Sequence, residues 1–243
     1  MTAPEMVVHE DASTLAGDVA SRLLSRIEEA QGRGEVPHIG LTGGSIADAI
    51  HREVARRATD SSVDWSRVVI WWGDERFVPA SSPDRNAHQA RSALLDQLPL
   101  SPDNIHEVPA ADEVATAEES ASAYSATMRS VGAGSFEVLM LGVGPDGHVA
   151  SLFPGHVALD VTDQIAVAVH DSPKPPPDRV SLTFEAINRA KAVWFLVSGG
   201  DKTDAVAAAI DGGDRHEIPA RGVRGTSETV WLIDEAAASR IPR

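Results

Sequence analysis

The chain has 243 residues, 42% of them hydrophobic and 23% charged, which is ordinary for a globular protein. Its formal net charge of −15, from 21 lysine and arginine and 36 aspartate and glutamate residues, argues against a general nucleic-acid binder, whose surface would be basic. The chain contains no cysteine, so disulfides, thiol nucleophiles and cysteine metal sites are excluded.

The first part of the sequence alternates helix and strand patterns. Apolar residues at four-residue spacing predict a helix over residues 11–31, which nearby glycines end. A short apolar run predicts a strand over 36–41, and the mixed pattern after it predicts a helix over 45–58. A second strand is expected at 67–72.

The same alternation continues towards the C-terminus. Residues 73–85 are rich in turn-forming types and predict a loop. Helices are expected at 86–98 and 112–131, the second with acidic residues in its first turn, where the helix dipole favours them. The remaining elements are strands, with one further helix at 202–210 and a closing helical segment at 235–240; the strands are at 136–143, 164–170, 179–184, 192–200 and 229–234.

Strands that alternate with helices, several of them apolar throughout, are typical of a sheet covered on both faces. We therefore predict a single α/β domain over residues 1–243, layered, with a mainly parallel sheet and helices on both faces. The proline-rich segment 173–177 lies between two predicted strands, so we interpret it as a stiff loop inside the domain rather than a linker or a proline-rich ligand. The sequence shows no signal peptide and no apolar stretch near the ~20 residues of a membrane span, so we expect a cytoplasmic protein with no membrane partner.

In open α/β sheets, ligands bind where strands end and helices begin, and unusual residues occur at several such points. The first is LTGGS at 41–45. Gly43 and Gly44 let the backbone approach a ligand, and free N–H groups at the start of the next helix favour a phosphate. The alternative is a plain tight turn in which Ser45 caps the helix and Asp48 completes an imperfect capping box.

The second is WWGDERFVP at 71–79. Neighbouring residues of an extended chain point to opposite sides, so Asp74 and Arg76 are expected to share a face while Glu75 points away. A carboxylate and a guanidinium on one rim could hold sugar hydroxyls or a phosphate. A surface cluster of ion pairs is the alternative.

The third is VSGGDKTDAV at 197–206. Lys202 is one of three lysines in the chain and lies at the start of a predicted helix, where the dipole disfavours a cation by ~0.3–1 kcal/mol. A bound anion would reverse that penalty. The alternative is an exposed lysine that tolerates it.

The fourth is LGVGPDGHVASLFPGH at 141–156. Its glycines formally match the G-x-G-x-x-G loop of dinucleotide-binding proteins, but Pro154 cuts short the helix that such a loop requires, which disfavours a nucleotide-binding oxidoreductase. Asp146 and His148 could be metal ligands, but no second histidine motif supports a metal site. His148 is either a core histidine or, at this ligand-facing edge, a general base, since an imidazole changes charge near neutral pH.

Together these stretches resemble the glucosamine-6-phosphate isomerase/6-phosphogluconolactonase family, and within it the 6-phosphogluconolactonases. The likeness includes SPDRNAH (82–88) and PKPPPDRVSLT (173–183), follows the family's order and extends over nearly the whole chain. It implies a modified Rossmann-like α/β fold and a phosphosugar site at the strand ends, with no metal and no organic cofactor.

The resemblance also implies which residues form the site. The phosphate is expected on Thr42, Gly43, Gly44, Ser45, Arg179 and Lys202, with Arg76 as a further substrate contact. The polar catalytic edge is expected to consist of Asp74, Asp146 and His148.

The implied reaction is hydrolysis of 6-phospho-D-glucono-1,5-lactone, in which His148 removes a proton from the water that attacks C1. Asp146 or Asp74 is expected to orient His148 or to bind sugar hydroxyls. The implied partner is this small phosphosugar lactone, bound by a monomer or a small homo-oligomer.

One position departs from the related deaminases, which typically have a glutamate that assists ring opening where this chain has Phe153. A phenylalanine cannot relay a proton, so the lactonase is favoured over the isomerising deaminase. A glucosamine-6-phosphate deaminase/isomerase and a non-catalytic phosphosugar-binding sensor stay open as alternatives. Loop 212–226 is expected to border the site. No role follows from the sequence for Arg85, Lys174, Arg221 and Arg224.

Overall fold

The computed structural model describes residues 4–132 and 134–241. The strands within these ranges are β1 (Glu5–His9), β2 (His38–Leu41), β3 (Val69–Trp72), β4 (Asp74–Arg76), β5 (Val138–Gly142), β6 (Ala166–Val169), β7 (Arg179–Leu182), β8 (Ala192–Val197) and β9 (Glu228–Asp234). The α-helices are α1 (Ala12–Gly32), α2 (Ser45–Ala58), α3 (Asn86–Ala93), α4 (Ala117–Val131), α5 (Phe184–Ile187) and α6 (Thr203–Ile210).

The main sheet has six strands in the order β1-β9-β8-β5-β2-β3, and every neighbouring pair is parallel. This confirms the predicted α/β fold with a mainly parallel sheet. A second, three-stranded sheet in the order β4-β7-β6 is antiparallel. The sequence predicts two of its strands but not their separation from the main sheet, because a local apolar pattern does not specify a strand's partner.

The two faces of the main sheet bury different residues of the same strands. In β5, Leu139 and Leu141 belong to one hydrophobic cluster, whereas Val138 and Met140 belong to the other, as the two-residue period of a strand requires. The first cluster includes residues of α4 and the small sheet, and the second includes residues of α1, α2 and α3. The prediction of helices on both faces is confirmed.

Several predicted boundaries are wrong for local reasons. The helix predicted from residue 112 begins at Ala117, because the Thr116 side chain caps it by accepting a hydrogen bond from Glu119 N. The helix predicted over 86–98 ends at Ala93, where Leu94 leaves helical geometry with φ −143° and ψ −61°. Segment 235–240 forms turns rather than a helix.

Two strands escape the sequence patterns. β1 is a half-exposed edge strand that pairs only with β9 in the described sheet, and its apolar run is only Met6, Val7 and Val8. β4 lies in the predicted loop 73–85 and consists of three charged residues, which are uncommon in strands. β4 is nevertheless paired along its length with β7.

The order of the strands creates a crevice between β2 and β5. From β2 the chain continues outward to β3 and later returns to β5 on the other side of β2, so connections diverge at this point of the sheet. Such reversals form the usual ligand-binding crevice of open α/β sheets. The segment 173–177 connects β6 and β7, as predicted for a loop inside the fold, and contains a cis bond between Pro175 and Pro176.

Across residues 4–132 and 134–241, every helix is too short or too polar to span a membrane.

Candidate active site

A cleft of about 280 Å³ lies at the carboxyl ends of β2, β5 and β8. All the predicted site residues except Asp146 line it, including the whole 42–45 loop. Larger grooves elsewhere on the described surface contain none of these residues, so size alone does not identify the site.

The 42–45 loop lines this cleft and leads into helix α2 without a side-chain cap. Helix α2 begins at Ser45, and its N-cap, Gly44, has φ +99° and provides no side-chain cap. The interpretation of Ser45 and Asp48 as a capping pair is therefore wrong, and Asp48 instead binds Arg52 on the exposed face of the helix, at 2.9 Å. An uncapped helix N-terminus favours an anion through its free N–H groups and its dipole.

Gly43 allows a close approach between two parts of the site. A Cβ atom at this position would lie 1.9 Å from Asn86 Oδ1. Asn86 also donates from Nδ2 to the Asp74 carbonyl oxygen at 2.9 Å. Asn86 therefore packs the 42–45 loop against β4, which requires a glycine at 43.

His148 and Asp146 form a hydrogen-bonded pair. The distance from His148 Nδ1 to Asp146 Oδ1 is 2.5 Å, and because a carboxylate only accepts, Nδ1 donates. Nε2 then keeps its lone pair, and no described residue donates a hydrogen bond to it. Partial burial raises the pKa of Asp146, but its hydrogen bond and charge interaction with His148 outweigh this and lower that pKa to about 2.

Gly144 makes room for this pair. A Cβ atom there would lie 2.0 Å from His148 Nδ1 and 2.5 Å from Asp146 Oδ1. The glycines of the 141–147 segment therefore accommodate an imidazole and its carboxylate partner, a role different from that of glycines in a dinucleotide loop.

Phe153 lies between the histidine and a buried arginine. Its ring centroid is 4.5 Å from that of His148, and Arg179 Cζ is 5.6 Å from the same ring. Phe153 is only 2% exposed. The residue at position 153 thus contacts the imidazole directly.

β4 arranges its three charged residues as the strand period predicts. Asp74 and Arg76 line the cleft, and Glu75 points away into the core, where it is 1% exposed. The Glu75 carboxylate accepts hydrogen bonds from the backbone N–H groups of Asn86 and Ala87, each at 2.8 Å, and so caps α3. The alternative of a surface ion-pair cluster is wrong, because Asp74 is also buried.

Arg179 lies directly opposite Arg76 in the β4–β7 pair. Burial lowers the pKa of Arg179, and the nearby positive charge of Arg76 lowers it further against the opposing effect of Asp74. Two guanidinium groups on one wall are stabilised by a bound anion. Arg179 is held by the proline-rich loop, whose Lys174 and Pro176 carbonyls accept its hydrogen bonds at 2.9 and 3.3 Å.

Lys202 precedes α6 as its N-cap residue and also lines the cleft. Its Nζ is 2.9 Å from Asp201 Oδ2, so a carboxylate on the same turn offsets part of the dipole penalty. Lys174, for which the sequence predicts no role, also lines the cleft. Among the charged lining residues the structure describes, four are basic and Asp74 is the acidic one, which makes the cleft locally cationic in an acidic protein.

The residues described contain no group of three or more His, Asp or Glu side chains arranged to hold a metal ion.

Comparison with known proteins gives concordant matches. Residues 10–231 match the model of the family described as glucosamine-6-phosphate isomerases/6-phosphogluconolactonase. The 6-phosphogluconolactonases of Streptomyces coelicolor and Mycobacterium tuberculosis are 43% and 40% identical to this chain, covering 99% and 97% of it and 95% and 97% of their own lengths. The solved structure of 6-phosphogluconolactonase from Trypanosoma brucei has a TM-score of 0.86 to this chain at 25% identity, covering 100% of both chains.

The chain belongs to the glucosamine-6-phosphate isomerase/6-phosphogluconolactonase family. The resemblance inferred from the motifs is therefore confirmed, as is the Rossmann-like fold that it implies. Within this family framework, the roles of individual residues stay predictions.

Sequence reasoning missed several residues that shape the site. Asn86 and Ser198 line the cleft, and Ser151 binds Asp74. SPDRNAH signalled the region of Asn86 through the family likeness, but no pattern distinguishes a buried serine that contacts a carboxylate 77 positions away.

Residues without a predicted role mostly have structural contacts. Arg85 is buried and donates to the Val108 carbonyl oxygen at 2.6 Å. Arg221 donates to the Ala208 carbonyl oxygen and lies outside the cleft lining, as does the exposed Arg224. Loop 212–226 borders the histidine turn rather than the cleft itself, through a hydrogen bond from Ala220 N to Gly147 O of 3.0 Å.

Proposed function

We propose that this protein hydrolyses 6-phospho-D-glucono-1,5-lactone to 6-phospho-D-gluconate, which makes it a lactone hydrolase of the oxidative pentose phosphate pathway. The observation that carries the proposal is the His148–Asp146 pair beside a cationic cleft, in a chain whose full-length relatives are named 6-phosphogluconolactonase. The pair supplies a base, and the cleft supplies a complement for a phosphorylated substrate.

The phosphate docks on the uncapped start of α2, with Arg179 and Lys202 beside it. The N–H groups at the start of α2 can donate hydrogen bonds to the phosphate, and the helix dipole favours its negative charge there. The two basic side chains come from different elements that line the same cleft, β7 and the start of α6, so both can contact the phosphate. Anchoring the phosphate fixes the sugar ring and brings C1 towards His148.

His148 acts as the general base. Its Nε2 takes a proton from water, and the resulting hydroxide attacks the lactone carbonyl at C1 to form a tetrahedral oxyanion. As the intermediate collapses, the C1–O5 bond breaks, and the imidazolium returns the proton to the ring oxygen. Asp146, bound to Nδ1, keeps the ring in the required tautomer and stabilises the positive charge while it exists.

The two aspartates have different roles in this proposal. Asp146 contacts the imidazole, whereas Asp74 has its hydrogen bond from Ser151 and lines the cleft. Asp74 therefore binds sugar hydroxyls rather than orienting His148. Arg76 beside it is a further substrate contact.

Phe153 favours this reaction over isomerising deamination. Deamination of glucosamine 6-phosphate with isomerisation needs a proton relay for ring opening, and an aromatic ring packed on the imidazole provides none.

Two assays on the purified protein test the proposal. Formation of 6-phosphogluconate from the lactone is measured above the spontaneous rate, since the lactone also opens unaided, and ammonia release from glucosamine 6-phosphate is measured in parallel. We expect rapid lactone hydrolysis, much slower hydrolysis of the unphosphorylated lactone, and no ammonia. Ammonia release would favour the deaminase, and phosphosugar binding without turnover in either assay would favour a sensor.

A further inference from the structure

Ser151 contacts the proposed site from behind. Its hydroxyl donates to Asp74 Oδ2 at 2.6 Å, and both its side chain and its backbone are inaccessible to solvent, with 0% exposure. Ser151 itself does not line the cleft. Its hydroxyl therefore acts on Asp74 and not on a bound ligand.

Two features fix the position of Ser151. Its backbone N–H donates to Ser181 Oγ at 3.2 Å, and Ser181 donates in turn to the Leu182 carbonyl oxygen at 3.0 Å. Ser181 lies directly opposite Asp74 in the β4–β7 pair. The small sheet thus carries both the carboxylate and the group that anchors its hydrogen-bond donor.

The turn that carries Ser151 is strained. Ala150 has φ +49°, a left-handed conformation that non-glycine residues adopt at a cost of order 1 kcal/mol. Ala150 lines the cleft, and His148 lies two residues before it. Such conformations persist where surrounding contacts over-determine them, and the two hydrogen bonds of Ser151 are contacts of that kind.

A carboxylate that recognises a hydroxyl has to present one oxygen in a fixed direction. At Asp74, Ser151 binds Oδ2, while no side chain among the described residues donates to Oδ1. Asp74 is 6% exposed, so water has little access to replace a missing donor. A buried acceptor that loses its partner either reorients or stays unsatisfied.

We infer that Ser151 is a positioning residue that fixes the Asp74 carboxylate so that Oδ1 faces the substrate hydroxyls. This inference rests on the proposed function, and it adds a specificity-determining contact to the same site. The Ser151 hydroxyl fixes the direction of the Asp74 carboxylate. The strained turn at Ala150 joins Ser151 to the segment that carries His148.

The test is a double-mutant cycle on lactone hydrolysis with Ser151→Ala, Asp74→Ala and the double variant. We expect Ser151→Ala to lower kcat/KM about 10-fold, mainly through KM, and Asp74→Ala to lower it about 100-fold. Because Ser151 acts through Asp74, the double variant should resemble Asp74→Ala within about twofold. Losses that multiply to about 1,000-fold would overturn the inference.

Ser120→Ala is the matched control. Ser120 is also 0% exposed and donates one hydrogen bond, to the Pro109 carbonyl oxygen at 2.7 Å, away from the cleft. It should lose thermal stability as Ser151→Ala does while keeping wild-type kinetics. Equal kinetics for the two alanine variants would refute a positioning role.

Two further measurements keep the test decisive. Ser151→Cys keeps the side chain's shape with a weaker donor, so it should fold and show an intermediate KM; wild-type KM in this variant would count against the inference. Calorimetric titration of the same proteins with 6-phosphogluconate measures the coupling between Ser151 and Asp74 in ligand binding. If the wild type binds but does not turn over the lactone, the proposed function fails, while the binding cycle still decides the role of Ser151.

Discussion

Replacing Asp146 with asparagine tests how the histidine is held. The carboxylate accepts from His148 Nδ1 at 2.5 Å, and an asparagine at this position keeps the size of the side chain but removes its charge. The amide can also turn its NH₂ towards Nδ1 and select the wrong tautomer. In the proposed mechanism both effects act on the His148 imidazolium, which forms after substrate has bound, and not on substrate binding itself.

The size of the effect follows from the pKa of Asp146. Burial opposes the shift, but the interaction with His148 lowers this pKa from 3.8 to about 2. A pKa lowered from 3.8 to about 2 corresponds to a free energy of about 2.5 kcal/mol. The side chain is 34% exposed, so solvent screening reduces the usable interaction to about 1 kcal/mol. That loss alone gives about a fivefold decrease in kcat, and loss of tautomer control extends it to about 10–100-fold.

The assay is the initial rate of lactone hydrolysis after subtraction of the spontaneous rate. The sequence offers a matched control, Asp214→Asn, because Asp214 and His216 have the same D-x-H spacing and an Oδ1–Nδ1 distance of 2.8 Å outside the cleft. Asp214→Asn should leave kcat unchanged. A folded Asp146→Asn protein with kcat within about twofold of wild type would refute this account of the pair.

Asp146 also makes a prediction about stability. Its pKa is lowered on folding, so its contribution is fully present above the ordinary value of 3.8 and is lost as the pH falls towards about 2. The free energy of unfolding of Asp146→Asn should therefore lie below that of wild type at pH 7, and the two should converge in acid.

Three further outcomes are expected. Gly144→Ala should lower kcat/KM at least ~100-fold, because its Cβ would lie 2.0 Å from His148 Nδ1. Gly32→Ala, whose Cβ would meet no atom within 4 Å, should keep the wild-type kcat/KM. Equal activities of the two variants would contradict the packing argument. Lys202→Ala should raise KM for the lactone about 10-fold with little change in kcat. The assignment of Lys202 as a phosphate anchor fails if the variant prefers the phosphorylated over the unphosphorylated lactone as strongly as wild type does. Burial, with a smaller effect from a neighbouring histidine, lowers the pKa of His38, so the contribution of the neutral imidazole to stability is full above pH 6.5 and is lost as the pH falls. The free energy of unfolding, measured from pH 7 to 5, should therefore decline less steeply for His38→Gln than for wild type. Parallel declines for the two proteins would disprove this prediction.

Local patterns predicted what local physics determines. The sequence predicts helix α2 at 45–58 and the helix has those bounds, because its amphipathic pattern begins directly after a glycine pair. The predicted start of α4 is wrong by five residues, since the acidic residues before Thr116 are equally compatible with the first turn of a helix. β4 was missed because its pairing with β7 lies a hundred residues away in sequence.

The site divides in the same way. Motifs near strand ends predicted the residues that line the cleft, and the family likeness added their expected roles. Contacts between distant segments were beyond reach: Ser151 and Asp74 are 77 residues apart, and the packing of Arg179 on Phe153 depends on the antiparallel sheet. These contacts determine how the predicted side chains are held.

The central claim is that His148 is the base in lactone hydrolysis, and the most direct measurement is kcat for wild type and His148→Ala on 6-phospho-D-glucono-1,5-lactone. We expect rapid hydrolysis by wild type and a decrease in kcat of ~10²–10⁴-fold in the variant, with binding of 6-phosphogluconate largely kept. A His148→Ala protein that turns over the lactone at the wild-type rate would contradict it.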